Sequence, residues 1–335
     1  MTQPDIPNIP LRSVRVMVTG AGGPAAVSVM KSLGTDPSVS LIAADMDPWA
    51  SGLYLVGPEA RTLIPAGLAR GFAEAVLARC IAMGVDVLIP TVDAELRPLG
   101  RARADFTRAG IEILLAPDDA LDATLDKLVL AERCAGKVRV PRTERLDKAT
   151  DRESWTYPVI VKPRTGSGSR DISLVESAEA LAALEPSDEF LVQEYLPGEE
   201  YSVDVLADAT GHVVAAVPRV RERVDSGVSV AGRTMHDAEL ERMGAAVATA
   251  TGLTYIANVQ FRRDAAGRPA LLEVNPRVPG ALPLTVASGV DMPRMALDSL
   301  RGRMLPDHAD FSDTAMVRYL DERFIELGEV RQVAA

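Results

Sequence analysis

Glu273, Asn275 and Arg277 stand two apart in the stretch Leu271-Leu272-Glu273-Val274-Asn275-Pro276-Arg277. As a strand it puts Glu273 and Asn275 on one face, with Leu272 and Val274 turned the other way into apolar packing. One anionic and one neutral oxygen ligand side by side suit a hard cation such as Mg²⁺. That ion takes one or two protein oxygens and fills its octahedron with water and phosphate oxygens. Pro276 has no N–H and ends the ladder. Arg277 then emerges as a permanently charged planar donor suited to a phosphoryl oxygen. An edge strand with a solvated polar face would carry the same residues, so the stretch decides nothing alone. Upstream, Lys162 closes the apolar strand Tyr157-Pro158-Val159-Ile160-Val161-Lys162-Pro163, followed by Arg164-Thr165-Gly166-Ser167-Gly168-Ser169-Arg170. Small residues there let N–H groups and hydroxyls close over phosphates, as an alternative to a plain flexible hairpin. The lysine precedes the glycines, so this is no Walker A loop. Arg219, Arg221 and Arg223 alternate and share one face of a strand. Either solvent or a bound anion must absorb their repulsion.

An α/β rhythm supplies the scaffold. Val14 to Thr19 is a buried strand running into Gly20-Ala21-Gly22-Gly23-Pro24-Ala25 and an apolar helix, and Val39 to Ala44 a second strand ending at Asp45. The turn fits the dinucleotide fingerprint, and Asp45 falls where a ribose-binding acid would sit, so an NAD-dependent dehydrogenase is a competing reading. Helices are expected over 71–83 and 95–109, and strands over 85–90 and 111–115. That alternation implies a parallel sheet covered on both faces, with ligands at the carboxyl ends of its strands: Gly20 to Pro24, Asp45 to Asp47 and Thr91 to Glu95. Thr91 to Glu95 reads equally as a helix cap with acids in the first turn. Another helix opens at Pro117 and carries Asp126 and Lys127 along it. Arg142 to Ser154 reads as a polar linker. Phe190 to Val205 is strand, turn, strand, with Glu200 placed to accept from ribose hydroxyls. Ala257 to Phe261 pairs antiparallel with the Glu273 stretch across the turn Asp264 to Arg268. Met292 to Leu300 is helical, and Val317 to Glu329 a closing strand and loop.

With 335 residues, two or three domains are expected. A net charge of −11 argues against nucleic-acid or anionic-membrane partners. Two cysteines, Cys80 and Cys134, make no disulfide framework, and no run approaches a membrane span, so a cytoplasmic protein is expected. His212, His236 and His308 lie in turn-like contexts, away from any nucleophile.

Asp126-Lys127, Val159-Ile160-Val161-Lys162-Pro163, the Gly/Ser loop, Gln193-Glu194-Tyr195-Leu196, Asn258-Val259-Gln260-Phe261 and Leu272-Glu273-Val274-Asn275-Pro276-Arg277 occur in that order. In these the chain from about Val14 to Met304 resembles an ATP-grasp enzyme, and within that group the carbamoyl-phosphate-synthase-type domains. The resemblance implies an α/β ATP-grasp fold. It has an N-terminal Rossmann-like parallel-sheet domain over residues 1–116, a linker helix and small α+β ATP lid over 117–197, and a C-terminal α+β metal-binding domain over 198–335. ATP and Mg²⁺ (or Mn²⁺) are the implied cofactors. Lys127 and Lys162 are implied phosphate-binding bases, and Ser167, Gly168 and Ser169 the lid loop. Gln193, Glu194 and Leu196 would flank adenine, and Glu200 would bind ribose. Gln260, Glu273 and Asn275 would hold metal, and Arg277 the acyl phosphate or tetrahedral intermediate. Lys162, Asn275 and Arg277 thus form the catalytic set. Gly22 and Gly23 move from a dinucleotide site to the substrate side, which Arg219, Arg221 and Arg223 would share.

Two departures matter. Gln260 stands where many relatives carry a carboxylate, although the carbamoyl-phosphate-type domains also use glutamine. The second arginine that follows Asn-Pro-Arg in those domains is replaced by Gly280, and no glutaminase portion or second copy of the domain accompanies it, which argues against carbamoyl phosphate synthesis itself. The expected activity is an ADP-forming carboxylate–amine ligase acting on small molecules through an acyl phosphate, with a homodimer left open. A catalytically silent ATP-binding regulatory or assembly module is the rival from another class.

Overall fold

The computed structural model describes residues 13–166, 171–225 and 227–334. The N-terminal layer is β1 (Val14–Val18), α1 (Pro24–Leu33), β2 (Val39–Asp45), β3 (Arg61–Leu63), α2 (Phe72–Ala82), β4 (Val87–Ile89), α3 (Asp93–Arg101), α4 (Arg103–Arg108) and β5 (Glu112–Ile113). Its strands form a parallel sheet in the order β3-β2-β1-β4-β5. Val16, Met17 and Val18 of the central strand are fully buried, because helices cover both faces. Gly20 ends β1 at φ +63°, where a Cβ would meet Val92 Cγ2 at 2.5 Å. The turns after β1 and β4 therefore lie against each other, which only glycine permits. The helix expected over 95–109 begins at Asp93 and is broken at Ala102.

The helix opened at Pro117 does not run through Asp126. It divides into α5 (Asp118–Leu125) and α6 (Lys127–Cys134), with Asp126 in extended conformation between them. The Asp126 carboxylate accepts from the Leu128 and Val129 N–H groups and caps α6. It also pairs with Arg164 at 2.6 Å. Burial opposes its charge, but the Arg164 bond and the cap bonds hold it below the usual carboxylate range.

The supposed linker at 142–154 holds a strand, β6 (Thr143–Leu146). It joins β7 (Val159–Pro163), β8 (Ser173–Val175) and β9 (Ser187–Glu194) in an antiparallel sheet ordered β6-β9-β7-β8, with α7 (Ala178–Ala182) between β8 and β9. The remainder is β10 (Glu200–Ala207), β11 (Val213–Asp225), β12 (Val228–Thr234), α8 (Ala238–Thr251), β13 (Tyr255–Arg263), β14 (Pro269–Asn275), α9 (Leu282–Ala287), α10 (Met292–Leu300), β15 (Ala315–Val317) and α11 (Leu327–Ala334). Its sheet is antiparallel in the order β14-β13-β10-β11-β12-β15. The closing strand thus ends at Val317, and the segment read as a loop finishes in a helix.

Burial sorts these layers into cores. Met17, Leu88 and Phe106 of the N-terminal layer share one core with Leu121 and Leu130 of α5 and α6 and with Val203, Phe261 and Val274 of the six-stranded sheet. The four-stranded sheet closes over its own small core, including Leu146, Trp155, Val161 and Val192. Among the described residues no helix is long and apolar enough to cross a membrane.

Candidate functional site

A cavity of about 490 Å³ opens where the three sheets meet. Lys162 on β7, Gln193 and Glu194 ending β9, Leu196 just beyond, Glu200 heading β10, Gln260 on β13, and Glu273 and Asn275 on β14 all line it, as does Arg277. Lys162 and Arg277, 115 positions apart in the chain, meet here, and antiparallel pairing sets Gln260 opposite Glu273 and Asn258 opposite Asn275. The expected face is therefore formed.

One expectation fails on that strand. Leu272 lines the cavity instead of facing away. The β13–β14 register shifts between Gln260 and Phe261, so Leu272 is an extra residue with no partner of its own. Such a bulge breaks the period of two and re-aims a side chain. Leu272 and Leu196 give that part of the cavity an apolar lining.

At the other end stand the cations. Lys162 is 6% exposed, and burial pushes its ammonium down to about 8, with Lys127 adding to the effect and Glu273 and Glu200 opposing it. Lys127 lies behind the lining, its Nζ 3.9 Å from Glu273 Oε2 and 2.9 Å from the Gly166 carbonyl oxygen. Two buried-side lysines share one carboxylate, an arrangement that favours a phosphate group. Ser167, Gly168 and Ser169 lie outside the described residues.

Gln260, Glu273 and Asn275 fit a magnesium site by donor chemistry. The Gln260 amide nitrogen donates to Asn258 Oδ1 at 3.4 Å, which leaves Oε1 as its uncommitted atom. A single carboxylate with two neutral amide oxygens suits an ion that draws its remaining ligands from phosphates and water. Among the described residues no group of three His, Cys, Asp or Glu forms a self-sufficient metal cage.

Other side chains are already committed. Glu194 accepts from Arg139 at 2.8 Å and from the Arg142 N–H at 3.1 Å, so its carboxylate braces the edge of the cavity. Glu200 holds Arg221 at 2.5 Å through Oε1, leaving Oε2. The arginine row does not share one face: the β11–β12 register shifts between Val220 and Arg223, Arg219 and Arg221 line the cavity, and Arg223 is exposed away from it. Arg219 is buried and bound two-pronged to Asp204, whose carboxylate also accepts from Asn258 and Thr285. Gly23 lines the cavity, but the Gly22 N–H donates to Asp45. The acid expected to take a ribose hydroxyl is thereby spent inside its own layer. Thr91 and Val92 line the cavity while Asp93 begins α3 with acids in its first turn; no side chain caps that helix.

Asp204 and Arg318 escaped sequence reasoning as site residues, and so did the pairing of Asp93 with Arg277. Asp93 grips Arg277 through two bonds, 2.9 and 2.8 Å long. Arg318, beyond β15, donates to the Gly280 carbonyl and keeps a buried Nε without a partner. Nothing local in the sequence marks either contact, since each spans dozens of residues or more.

The family model described as "ATP-grasp in the biosynthetic pathway with Ter operon" matches residues 186–323. The carbamoyl phosphate synthase large chain of Thermomicrobium roseum is 31% identical over 226 residues, covering 61% of this chain and 21% of that protein. Over these stretches the chain is similar to an ATP-grasp domain of the carbamoyl-phosphate-synthase type. Its fold agrees with solved ATP-grasp structures. The biotin carboxylase–β,γ-ATP complex of Campylobacter jejuni superposes with a TM-score of 0.73 at 16% identity, over 88% of this chain and 72% of that one. The N5-carboxyaminoimidazole synthetase of Staphylococcus aureus gives 0.67 at 16% identity, over 90% and 81%. The chain spans about a fifth of the length of the carbamoyl phosphate synthase it matches.

The buried Lys162 has a pH consequence for a bound phosphate. Below about 8 it is charged with or without nucleotide, so it adds no pH dependence to binding. Above 8 the free protein loses the proton, and a phosphate bound against Lys162 would have to restore it, so binding would take one up. Affinity for MgATP should then fall by about tenfold per pH unit above 8. Calorimetric titration of a non-hydrolysable ATP analogue between pH 7 and 9.5 checks this. Lys162→Met should bind weakly without the slope, and a flat wild-type profile would refute the phosphate contact.

Proposed function

We propose that the chain is an ATP-dependent carboxylate–amine ligase that forms an amide through an acyl phosphate and releases ADP and phosphate. The observation that carries this reading is the convergence of Lys127, Lys162 and Glu273 beside a cavity that the apolar Leu196 and Leu272 also line. A triphosphate and its base need those two environments. In the proposed division, residues 1–116 contribute the substrate side, 117–197 the lid, and 198–335 the metal-holding strands.

Gln260, Glu273 and Asn275 would hold Mg²⁺, which when bound supplies charge neutralisation on the transferring phosphoryl oxygens. Lys162 and Lys127 add positive charge to the same oxygens. A substrate carboxylate oxygen attacks the γ-phosphorus, the bond to the bridging β,γ oxygen breaks, and ADP leaves. An amine then attacks the acyl carbon, phosphate departs, and the amine loses its proton. Water must be kept from the acyl phosphate, which gives the four-stranded sheet its role as a cover. No side-chain nucleophile is needed. Arg221 is the better candidate for the substrate carboxylate, because Arg219 is anchored to Asp204. Small-molecule carboxylate and amine substrates follow, and a homodimer is compatible with this reading.

Thermal stabilisation separates the rivals, since a ligand that binds only the folded state raises the melting temperature. MgATP should stabilise the protein and NAD⁺ should not. Mass spectrometry should then find ADP and a new amide when a metabolite pool is supplied with ATP. Stabilisation by ATP without ADP release under any pool would favour the silent module, and stabilisation by NAD⁺ alone would overturn both.

A further inference from the structure

We infer that Asp93 is a positioning residue for Arg277, so that the N-terminal sheet sets the geometry of the phosphoryl end of the cavity without touching nucleotide. The inference takes from the ligase reading only the reaction that the pair serves. Asp93 is the first residue of α3 and lies 184 positions before Arg277 in the chain. Its Oδ1 accepts from Arg277 Nε at 2.9 Å and its Oδ2 from Nη2 at 2.8 Å. The two side chains are 22% and 19% exposed, well sheltered for an ion pair.

A guanidinium has five N–H donors in a fixed plane. Arg277 spends two on Asp93, one from Nη1 on the Val278 carbonyl at 3.1 Å, and one from Nη2 on Asn275 Oδ1 at 3.4 Å. One Nη1 hydrogen remains uncommitted among the described residues. Arg277 thus has one donor, not a two-pronged face, left for the phosphoryl oxygen expected of it. It is a single charged donor whose plane is fixed by the N-terminal layer, and its bond to Asn275 carries that orientation into the candidate metal set. The anchor is firm for two reasons. Thr91 and Val92, next to Asp93, line the same cavity. The N-terminal layer also shares a buried core with β13 and β14, so the two ends of the pair cannot drift apart without opening it.

The contrary assignment is a lock, in which Asp93 withholds Arg277 until substrate arrives. The two differ in sign. For a positioning residue, Asp93→Ala lowers ADP release from MgATP by about 10- to 100-fold, as second contacts behind a reactive group do. Arg277→Ala gives a similar loss, and the double variant loses no more than the worse single one. Affinity for a non-hydrolysable MgATP analogue stays within twofold in all three, which a merely structural role would not preserve. Asp93→Glu restores part of the rate. Faster ADP release in Asp93→Ala, or losses that add in the double variant, would overturn the inference. A second measurement needs no turnover: in ¹⁵N-labelled protein the Arg277 Nε–H exchanges slowly with solvent, and Asp93→Asn speeds that exchange. An unchanged exchange rate in Asp93→Asn sinks the inference even where the wild type releases no ADP, an outcome that counts separately against the ligase reading.

Discussion

Glu273→Gln is expected to cut ADP release by about a hundred- to a thousandfold while the fold stays intact. Glu273 is the one carboxylate among the three candidate oxygen ligands, and its replacement keeps shape and volume while removing the charge. Two losses follow from one change. The metal set becomes neutral, and Lys127 loses the carboxylate 3.9 Å away. Glu273 also opposes the fall of the Lys162 ammonium, so the variant pushes that group lower still. Gln keeps the volume of a side chain that is 28% exposed, so the urea midpoint should barely move. Turnover assayed across a magnesium titration checks this. A rate near wild type at saturating Mg²⁺ would remove Glu273 from the metal site.

Asp204→Ala should act on the fold instead, destabilising it by about 3–5 kcal/mol. Asp204 is fully buried, and its two oxygens accept from Arg219 Nε at 2.8 Å, Arg219 Nη2 at 2.7 Å, Asn258 at 2.8 Å and Thr285 at 2.5 Å. Removing it strands the Arg219 guanidinium, itself 2% exposed, without a counter-charge. Replacing both partners by apolar residues of similar size, Asp204→Leu with Arg219→Met, should recover most of the loss, because no buried charge is left unpaired. Urea unfolding of the single and double variants measures the effect. If Asp204→Ala unfolds at the wild-type midpoint, the pair does not anchor β10 to β11.

Much of this was legible because local rules carried it. Stretches rich in β-branched and apolar residues marked β1, β4 and β7, and alternation put Glu273 and Asn275 on a common face. The same alternation misplaced Leu272, since a bulge is set by pairing with β13 and leaves no local mark. Asp126 and Lys127 looked like consecutive residues of one helix, yet a short acid in extended conformation caps better than it continues. The arginine row read as one face for want of the register shift at Val220. Asp93 and Arg277 could not be paired from sequence at all, because their meeting depends on how two layers pack.

The separate core under the four-stranded sheet decides what kind of motion this chain can make cheaply. Leu146, Trp155, Val161 and Val192 bury one another and not the main core, so that sheet can swing as a body without wetting apolar surface. What resists the swing is polar: Arg164 against Asp126, Arg139 against Glu194, and Lys127 against the Gly166 carbonyl. Each of these ties joins the sheet to α6 or to the segment just after it. The mechanical pivot of the molecule is therefore a set of three polar contacts at the two ends of α6.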